Sequence, residues 1–377
     1  MKASIIIPSY NAAERLLLNL EALNCQDYDQ KDVEVIVVNN GSTDDTEKTL
    51  QFVNLKFPLK IITIEKNQGI ARGRNQGIVH ACGDILIFHD SDMIAAKDFI
   101  SRHLAYHEQE NMVVCGAFWK RIRSFDYNDP EKKAQLITRE QVRGGSFMDH
   151  VFDSESDFVR GIRKILGRLD NNLTGYTLPW RFCITNNLSA RRNSVINVGM
   201  FDQNIVKYGF EDYDLGLRLF KAGGEFVIAE DIISAHQDHP ANYTATDMQE
   251  NISYICKKYN NIYFLDVILV CLMDYLEMDD EAINRLMLDI NAMLSDKKNH
   301  DILESFLFLL EGICRIVLDR DFDYYRVYAQ EFYKSLPRVF EHVKKLSDYP
   351  AFRVQYNNIT QKMFNASILP EESHGEV

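Results

Sequence analysis

Ala3-Ser4-Ile5-Ile6-Ile7-Pro8-Ser9-Tyr10-Asn11 opens the chain with an apolar run, Ala3–Ile7, that stops at a proline and a polar loop. The design repeats. Val33–Val38 is rich in β-branched residues and ends at Asn39-Asn40-Gly41, Leu59–Ile64 is a third run, and Ile85–His89 is a fourth, followed by Asp90-Ser91-Asp92. Helix-like stretches fill the gaps, at about Ala13–Asn24, Thr43–Phe57 and Gly69–Ala81. Strand, helix, strand, helix predicts an α/β fold with a parallel sheet covered on both faces. Ligands of such sheets bind outside the carboxyl ends of the strands. That rule draws attention to the loops Pro8–Asn11, Asn39–Asp44, Glu65–Gly69 and Asp90–Asp92.

Further on the pattern changes twice. Val113–Ala241 is less regular, and Gly144-Gly145, Gly175 and Pro179 suggest loops. Beyond Asn251 apolar residues recur at helical spacing: Ile283, Leu286, Met287, Ile290, Met293 and Leu294, then Ile302, Phe306, Leu309, Ile313 and Ile316, then Tyr325, Tyr328, Phe332 and Leu336. The expected organisation is a first domain over 1–250, an α-helical C-terminal domain over 251–367 and a flexible tail over 368–377. Two domains suit 377 residues at about 150 per domain.

With 42 basic and 55 acidic residues the net charge is −13, which speaks against general nucleic-acid binding because that needs a basic face. A nucleotide ligand stays possible where a metal ion supplies positive charge. The seven cysteines form no CxxC pair, and an odd number suits reduced, mostly buried thiols in a cytosolic protein. The N-terminus lacks the basic-then-apolar build of a signal peptide. A spanning helix needs about 20 apolar residues, and Ile262–Met273 and Phe306–Leu310 are short or interrupted by Asp266, Glu304 and Glu311. A cytoplasmic location is expected, with peripheral membrane contact left open.

Four constellations carry chemistry. Asp90-Ser91-Asp92 sets two carboxylates at the carboxyl edge of the sheet, a spacing that can hold Mg²⁺ or Mn²⁺. Alone, such a pair is more often a solvated turn. Gly209-Phe210-Glu211-Asp212-Tyr213-Asp214 gathers acids before a helix-like run. The helix dipole favours acids there, and one of them could also act as general base toward a hydroxyl. In Ser234-Ala235-His236-Gln237-Asp238-His239-Pro240 either histidine could bind a metal, and spacing does not choose between them. In Asn67-Gln68-Gly69-Ile70-Ala71-Arg72-Gly73-Arg74-Asn75 small residues allow close backbone approach, and the arginines could reach phosphates or simply face water. Neither this stretch nor Asn40-Gly41-Ser42 matches a P-loop or a dinucleotide fingerprint.

Taken in order, these residues resemble the family 2 glycosyltransferases of GT-A fold. The pieces are Ile5–Asn11, Val37–Asp44, Asn67-x-Gly69 with Ala71, Arg74, Asn75 and Gly77, then Gly83-Asp84, Asp90–Asp92, Trp180, Asn186–Ser189, Gly199-x-Phe201-Asp202 and Gly209–Asp212. The second half is similar to bacterial chondroitin-type polymerases and polypeptide N-acetylgalactosaminyltransferases. The match covers Met1–Pro240, and nothing beyond Asn251 resembles a known family.

The resemblance implies a Rossmann-like, mostly parallel sheet. It also implies an inverting, Mn²⁺- or Mg²⁺-dependent transfer of a hexose or N-acetylhexosamine from a UDP-sugar to a glycan, polymer or peptide hydroxyl. Pro8, Tyr10 and Asn11 would border the base. Asn39 stands where the family usually has an aspartate contacting uracil. Its amide oxygen can still accept a hydrogen bond, but without charge. Asp90 would approach the ribose, and Asn67, Arg74, Ser91 and Asn187 would join the nucleotide-sugar site. Asp92 and His236 would hold the metal, His236 being preferred because it follows Glu211 by 25 residues. Asp212 would be the base, Glu211 would orient acceptor or donor, and Trp180 would stack on a sugar face. The C-terminal helices could bind acceptor, pair subunits as a homodimer, rest on a membrane surface or support the catalytic domain.

Two other readings rank lower. A sugar-phosphate nucleotidyltransferase would carry a Gly-rich basic loop after the first strand, where this chain has Pro8-Ser9-Tyr10-Asn11. A noncatalytic carbohydrate-binding protein would have no reason to keep acids at both Asp90/Asp92 and Glu211/Asp212.

Overall fold

The computed structural model describes residues 1–123, 137–169, 173–239, 244–320 and 346–364, with Lys334, Phe340, Glu341, Val343 and Lys344. Tyr325, Tyr328, Phe332, Leu336 and the tail 368–377 lie outside the described residues. The chain separates into two compact units, Met1–Gly175 with Pro179–Thr244, and Tyr176–Leu178 with Ala245–Val377.

The first unit begins with β1 (Ala3–Ser9), α1 (Ala13–Asn24), β2 (Val33–Asn40), α2 (Thr46–Phe52), β3 (Leu59–Ile64), α3 (Ile70–His80) and β4 (Ile85–Phe88). β1 lies between β2 and β4 and is parallel to both. Ile5, Ile6 and Ile7 are fully buried. Each such side chain contributes about 1.5–3 kcal/mol relative to exposure, which is why the run is apolar on both faces. The strand continues through Pro8 to Ser9, beyond the proline expected to end it. The β4 ladder stops at Ile6 opposite Phe88, so Pro8 meets only β2 and its missing N–H costs no bond on the β4 side. Helix α2 is shorter than the expected Thr43–Phe57. The Asp44 carboxylate accepts the Thr46 N–H at 3.0 Å, turning the chain before the helix, and the backbone is extended again at Val53.

The middle of the chain, read as loop-rich, supplies much of the sheet. It contains β5 (Met93–Ala95), α4 (Phe99–Tyr106), β6 (Met112–Gly116), β7 (Lys120–Ile122), α5 (Arg139–Gly144), β8 (Val151–Asp153) and α6 (Asp157–Leu166). It continues with β9 (Leu188–Arg191), α7 (Arg192–Asn197), α8 (Glu211–Lys221), β10 (Glu225–Ala229) and β11 (Ser234–Gln237). The main sheet has the order β10-β6-β9-β4-β1-β2-β3, and β5-β11-β7-β8 form a second sheet. Only β9 runs against its neighbours in the main sheet. Strands of three to five residues show too little pattern to be seen in sequence.

The second unit is helical: α9 (Ala245–Lys258), α10 (Leu265–Cys271), α11 (Met273–Leu276), α12 (Asp280–Leu294), α13 (His300–Val317) and α14 (Pro350–Phe364). The periodic residues Ile283, Leu286, Met287, Ile290 and Met293 of α12 are buried, as are Ile302, Phe306, Leu309, Ile313 and Ile316 of α13. Asp279 caps α12 by accepting the Ala282 N–H at 2.8 Å. Thr177 joins this unit through its N–H and hydroxyl, both donating to Asn284 Oδ1 at 2.8 Å. Among the described residues no helix is long and apolar enough to cross a membrane.

Candidate active site

The first three loops at the carboxyl edge are knitted together. Asn11, at a φ of 49°, donates its N–H to Ser42 Oγ at 3.0 Å and accepts the Thr43 N–H at 2.8 Å. Ser42 N–H donates to Asn39 Oδ1 at 3.1 Å. Asn40 Nδ2 donates to Asn67 Oδ1 at 3.2 Å and to Gly69 O at 3.0 Å. Pro8, Asn11, Asn39 and Asn67 thus share one edge, beside a Tyr10 that is 47% exposed.

The fourth loop reaches the second sheet. β5 and β11 pair antiparallel with His236 opposite Met93, and Gln237 N–H donates to Asp92 O at 2.8 Å. This ladder brings His236 beside Asp92. His236 Nε2 lies 3.7 Å and His239 Nε2 3.0 Å from Asp92 Oδ2. One donor atom from each of Asp92, His236 and His239 falls within 4.8 Å of the others. Asp92 Oδ1 is buried without a hydrogen-bond partner. Burial opposes ionisation of Asp92, but His236, the hydrogen bond to His239 and Arg15 outweigh it and hold the carboxyl well below the usual range. An ionised carboxylate with a vacant lone pair beside two imidazoles fits a divalent cation. Behind His236, Asp238 Oδ1 faces Nδ1 at 3.7 Å and is itself paired with Arg121.

His89 underlies this loop and is fully buried. Its Nδ1 meets Asn19 Nδ2 at 3.0 Å and its Nε2 meets Ser234 Oγ at 2.8 Å, while Asn19 Nδ2 also donates to Asp90 O at 2.8 Å. Burial pushes the imidazole down to about 3.

The other acids gather around Arg74. Its guanidinium is 2% exposed and donates to Asp90 Oδ1 at 2.9 Å and to Glu211 Oε1 at 2.8 Å. It also lies over the Phe201 ring, 5.4 Å from the centroid. Asn75 pins Phe201 there through two backbone bonds, at 2.8 and 2.9 Å. Glu211 and Asp212 begin α8 after two left-handed residues, Gly209 at φ 95° and Phe210 at φ 72°. The left-handed conformation is costly for a bulky non-glycine residue and is tolerated where surrounding structure imposes it. Helix α8 is anchored by Gly216, where a Cβ would lie 2.5 Å from the Cys183 Cβ and 2.8 Å from Trp180 O. Burial, then Glu211, push Asp212 up to about 8.

A Bacillus subtilis protein described as the uncharacterized glycosyltransferase YfnE is 46% identical over 340 residues, spanning 85% of this chain and 86% of the relative. The family model for glycosyl transferase family 2 matches residues 4–175. The chain belongs to glycosyl transferase family 2. Escherichia coli chondroitin synthase is similar at 24% identity over 281 residues, 69% of this chain and 40% of that one. S. aureus TarS superposes with a TM-score of 0.53 at 16% identity, over 88% of this chain and 55% of that one. TarS 1–349, crystallised with UDP, superposes at 0.51 with 16% identity, over 96% and 92%. The sheet is therefore that of the GT-A fold. Membership makes the chain a transferase and removes the nucleotidyltransferase and noncatalytic readings.

Three residues expected at the nucleotide-sugar site of this glycosyltransferase are engaged within the protein itself. Trp180 is fully buried, edge-on to Tyr213 with centroids 6.0 Å apart, so its ring walls the base of α8 and has no face for a sugar. Asn187 is also fully buried. Its Oδ1 meets His103 Nε2 at 3.1 Å and its Nδ2 donates to Ile232 O at 3.0 Å, which makes it a core strut. Arg74 turns both terminal nitrogens to protein carboxylates, where a phosphate contact was expected. Ser91 is buried within the fourth loop, between Asp90 and Asp92. Sequence reasoning preferred His236 over His239, and the structure brings both to Asp92. It missed His89, Asn19 and Arg15, whose contacts no spacing announces. Asp238 stood beside His236 in the sequence, and its partner Arg121 carried no signal.

Proposed function

We propose that the chain is an inverting, divalent-metal-dependent glycosyltransferase moving a hexose or N-acetylhexosamine from a UDP-sugar to a hydroxyl of a glycan, growing polysaccharide or peptide. The observation that carries this reading is the grouping of Asp92, His236 and His239, linked through Asp90 and Arg74 to the Glu211–Asp212 pair. Asp92, His236 and His239 would hold the cation, and their mixed oxygen and nitrogen set suits Mn²⁺ better than Mg²⁺. A bound divalent ion supplies positive charge to the departing diphosphate.

The remaining work falls to side chains. Asp212 takes the proton of the acceptor hydroxyl on a carboxylate oxygen, and its raised proton affinity suits a general base near neutral pH. Arg74 fixes Glu211 by one oxygen, leaving Oε2 without a hydrogen-bond partner and able to accept from a substrate hydroxyl. Attack opposite the leaving group inverts the anomeric carbon, so an α-linked donor gives a β-linked product. Pro8, Tyr10, Asn11 and Asn39 border the base. A uridine donor is supported by the family resemblance and by the UDP of S. aureus TarS 1–349. Asn39 Oδ1 accepts from Ser42, but a carbonyl oxygen has a second lone pair for the uracil N–H.

The test is release of free UDP from a panel of UDP-sugars with Mn²⁺, repeated in EDTA. UDP release from one UDP-hexose, lost in chelator and restored by Mn²⁺, is the expected result. Full turnover in EDTA removes the metal role, and no UDP release from any donor removes the reading.

A further inference from the structure

The helical unit contains three thiols close together, outside the site described above. Cys256 lies on α9, Cys271 ends α10 and Cys314 lies on α13. The Cys256 thiol lies near enough to the other two for its ionisation to be tied to theirs. Cys256 and Cys314 also line one cavity of about 190 Å³, together with Ser253, Lys257, Arg315 and Asp319. The mouth is charged: Lys257 and Arg315 are 57% and 36% exposed, and Lys257 Nζ pairs with Asp319 Oδ2 at 2.9 Å. The thiols form the wall, 5% exposed at Cys256 and 9% at Cys314. Cys271 does not line the cavity, so a small reagent entering from the mouth meets Cys256 and Cys314 first.

We propose that Cys256 and Cys314 form a reversible thiol-oxidation site that takes a low-molecular-weight disulfide as its co-reactant and closes into a Cys256–Cys314 disulfide. Hydrogen bonds from Cys271, then Cys314, outweigh burial and hold the Cys256 thiol well below its ordinary range. The hydrogen bond with Cys256, then burial, push Cys314 up. The thiolate, not the thiol, is the nucleophile, so Cys256 attacks first. Its sulfur bonds to one sulfur of the small disulfide, the S–S bond breaks and the other half leaves as a thiolate. Cys314 then loses its proton and attacks the Cys256 sulfur, expelling the second half. Two protein thiols are oxidised by two electrons, and the small disulfide is reduced to two thiols. The product ties α9 to α13.

The whole chain carrying Cys82→Ser, which removes the one exposed cysteine, is incubated with glutathione disulfide. Remaining thiols are then alkylated in denaturant and mapped by mass spectrometry. The expected result is a Cys256–Cys314 crosslinked peptide, loss of alkylation at both residues, and recovery of both with dithiothreitol. With Cys314→Ala added, Cys256 should retain a glutathione adduct. Full alkylation of both residues after oxidation, or a link from Cys256 to Cys271, overturns the proposal. The crosslink map of the Cys82→Ser protein decides the matter without any change to a buried residue.

Discussion

Asp92 and Asp212 are the same side chain in the same unit, and their surroundings push them in opposite directions. Asp92 faces two imidazoles and is held well below the usual carboxylate range. Asp212 follows another acid on a half-buried helix end and is pushed up to about 8. Arg74 separates the two corners by neutralising Asp90 on one side and Glu211 on the other. A carboxylate kept ionised suits a cation, and one that holds its proton tightly suits proton transfer. One loop edge thereby offers both chemistries from one amino-acid type.

The comparison breaks most visibly when the charges are removed one at a time. Asp212→Asn should lower kcat by about 10²–10⁴-fold, the usual share of a general base, while the Mn²⁺-dependent rise in thermal midpoint survives. Asp92→Asn should lose turnover and that rise together. Asp212→Asn should also gain stability in alkali. Its carboxyl has a folded value above its unfolded one, so stability is full below the unfolded value and is lost as pH rises to about 8. Unfolding in urea at pH 8.5 or above checks this (about pH 8.5 lies just past the limb).

Next comes the divider. Arg74→Met leaves Glu211 and Asp90 without their buried counter-charge and should cost about 3–5 kcal/mol in urea unfolding. The pH dependence sharpens the same contrast. With Asp212 as base, kcat/KM should rise about tenfold per pH unit below the folded value and level off above about 8. A flat profile between pH 6 and 9, roughly the range any such limb must cross, removes Asp212 from that role. The smallest effect is expected behind the Asp92 corner. Asp238→Asn weakens the group that faces His236 Nδ1 and should reduce Mn²⁺ affinity by about 10–100-fold in a thermal-shift titration.

How much of this was visible in the chain depends on how far apart the partners lie. Ile5–Ile7 and Val35–Val38 are apolar on both faces, so buried parallel strands could be read directly. Asp92 and His236 are 144 residues apart and meet through β5, a strand of only three residues. No periodicity marks so short an element, and only the ordered likeness to a family joined the two. Arg74 illustrates the converse. A guanidinium suits phosphate and carboxylate equally, and the choice was made by Glu211, 137 residues away. Trp180 could not be assigned either, because a large ring serves a wall and a sugar platform with the same chemistry.

The bonding of His89 has an electrical consequence. Asn19 offers both amide hydrogens, one to Asp90 O and one to Nδ1, so that ring nitrogen must be an acceptor and the proton sits on Nε2 toward Ser234. The imidazole is locked into one neutral tautomer. His89 therefore adds no charge beneath Asp90–Asp92 across the physiological pH range, and the negative charge of Asp92 is not offset from that side by a protonated His89.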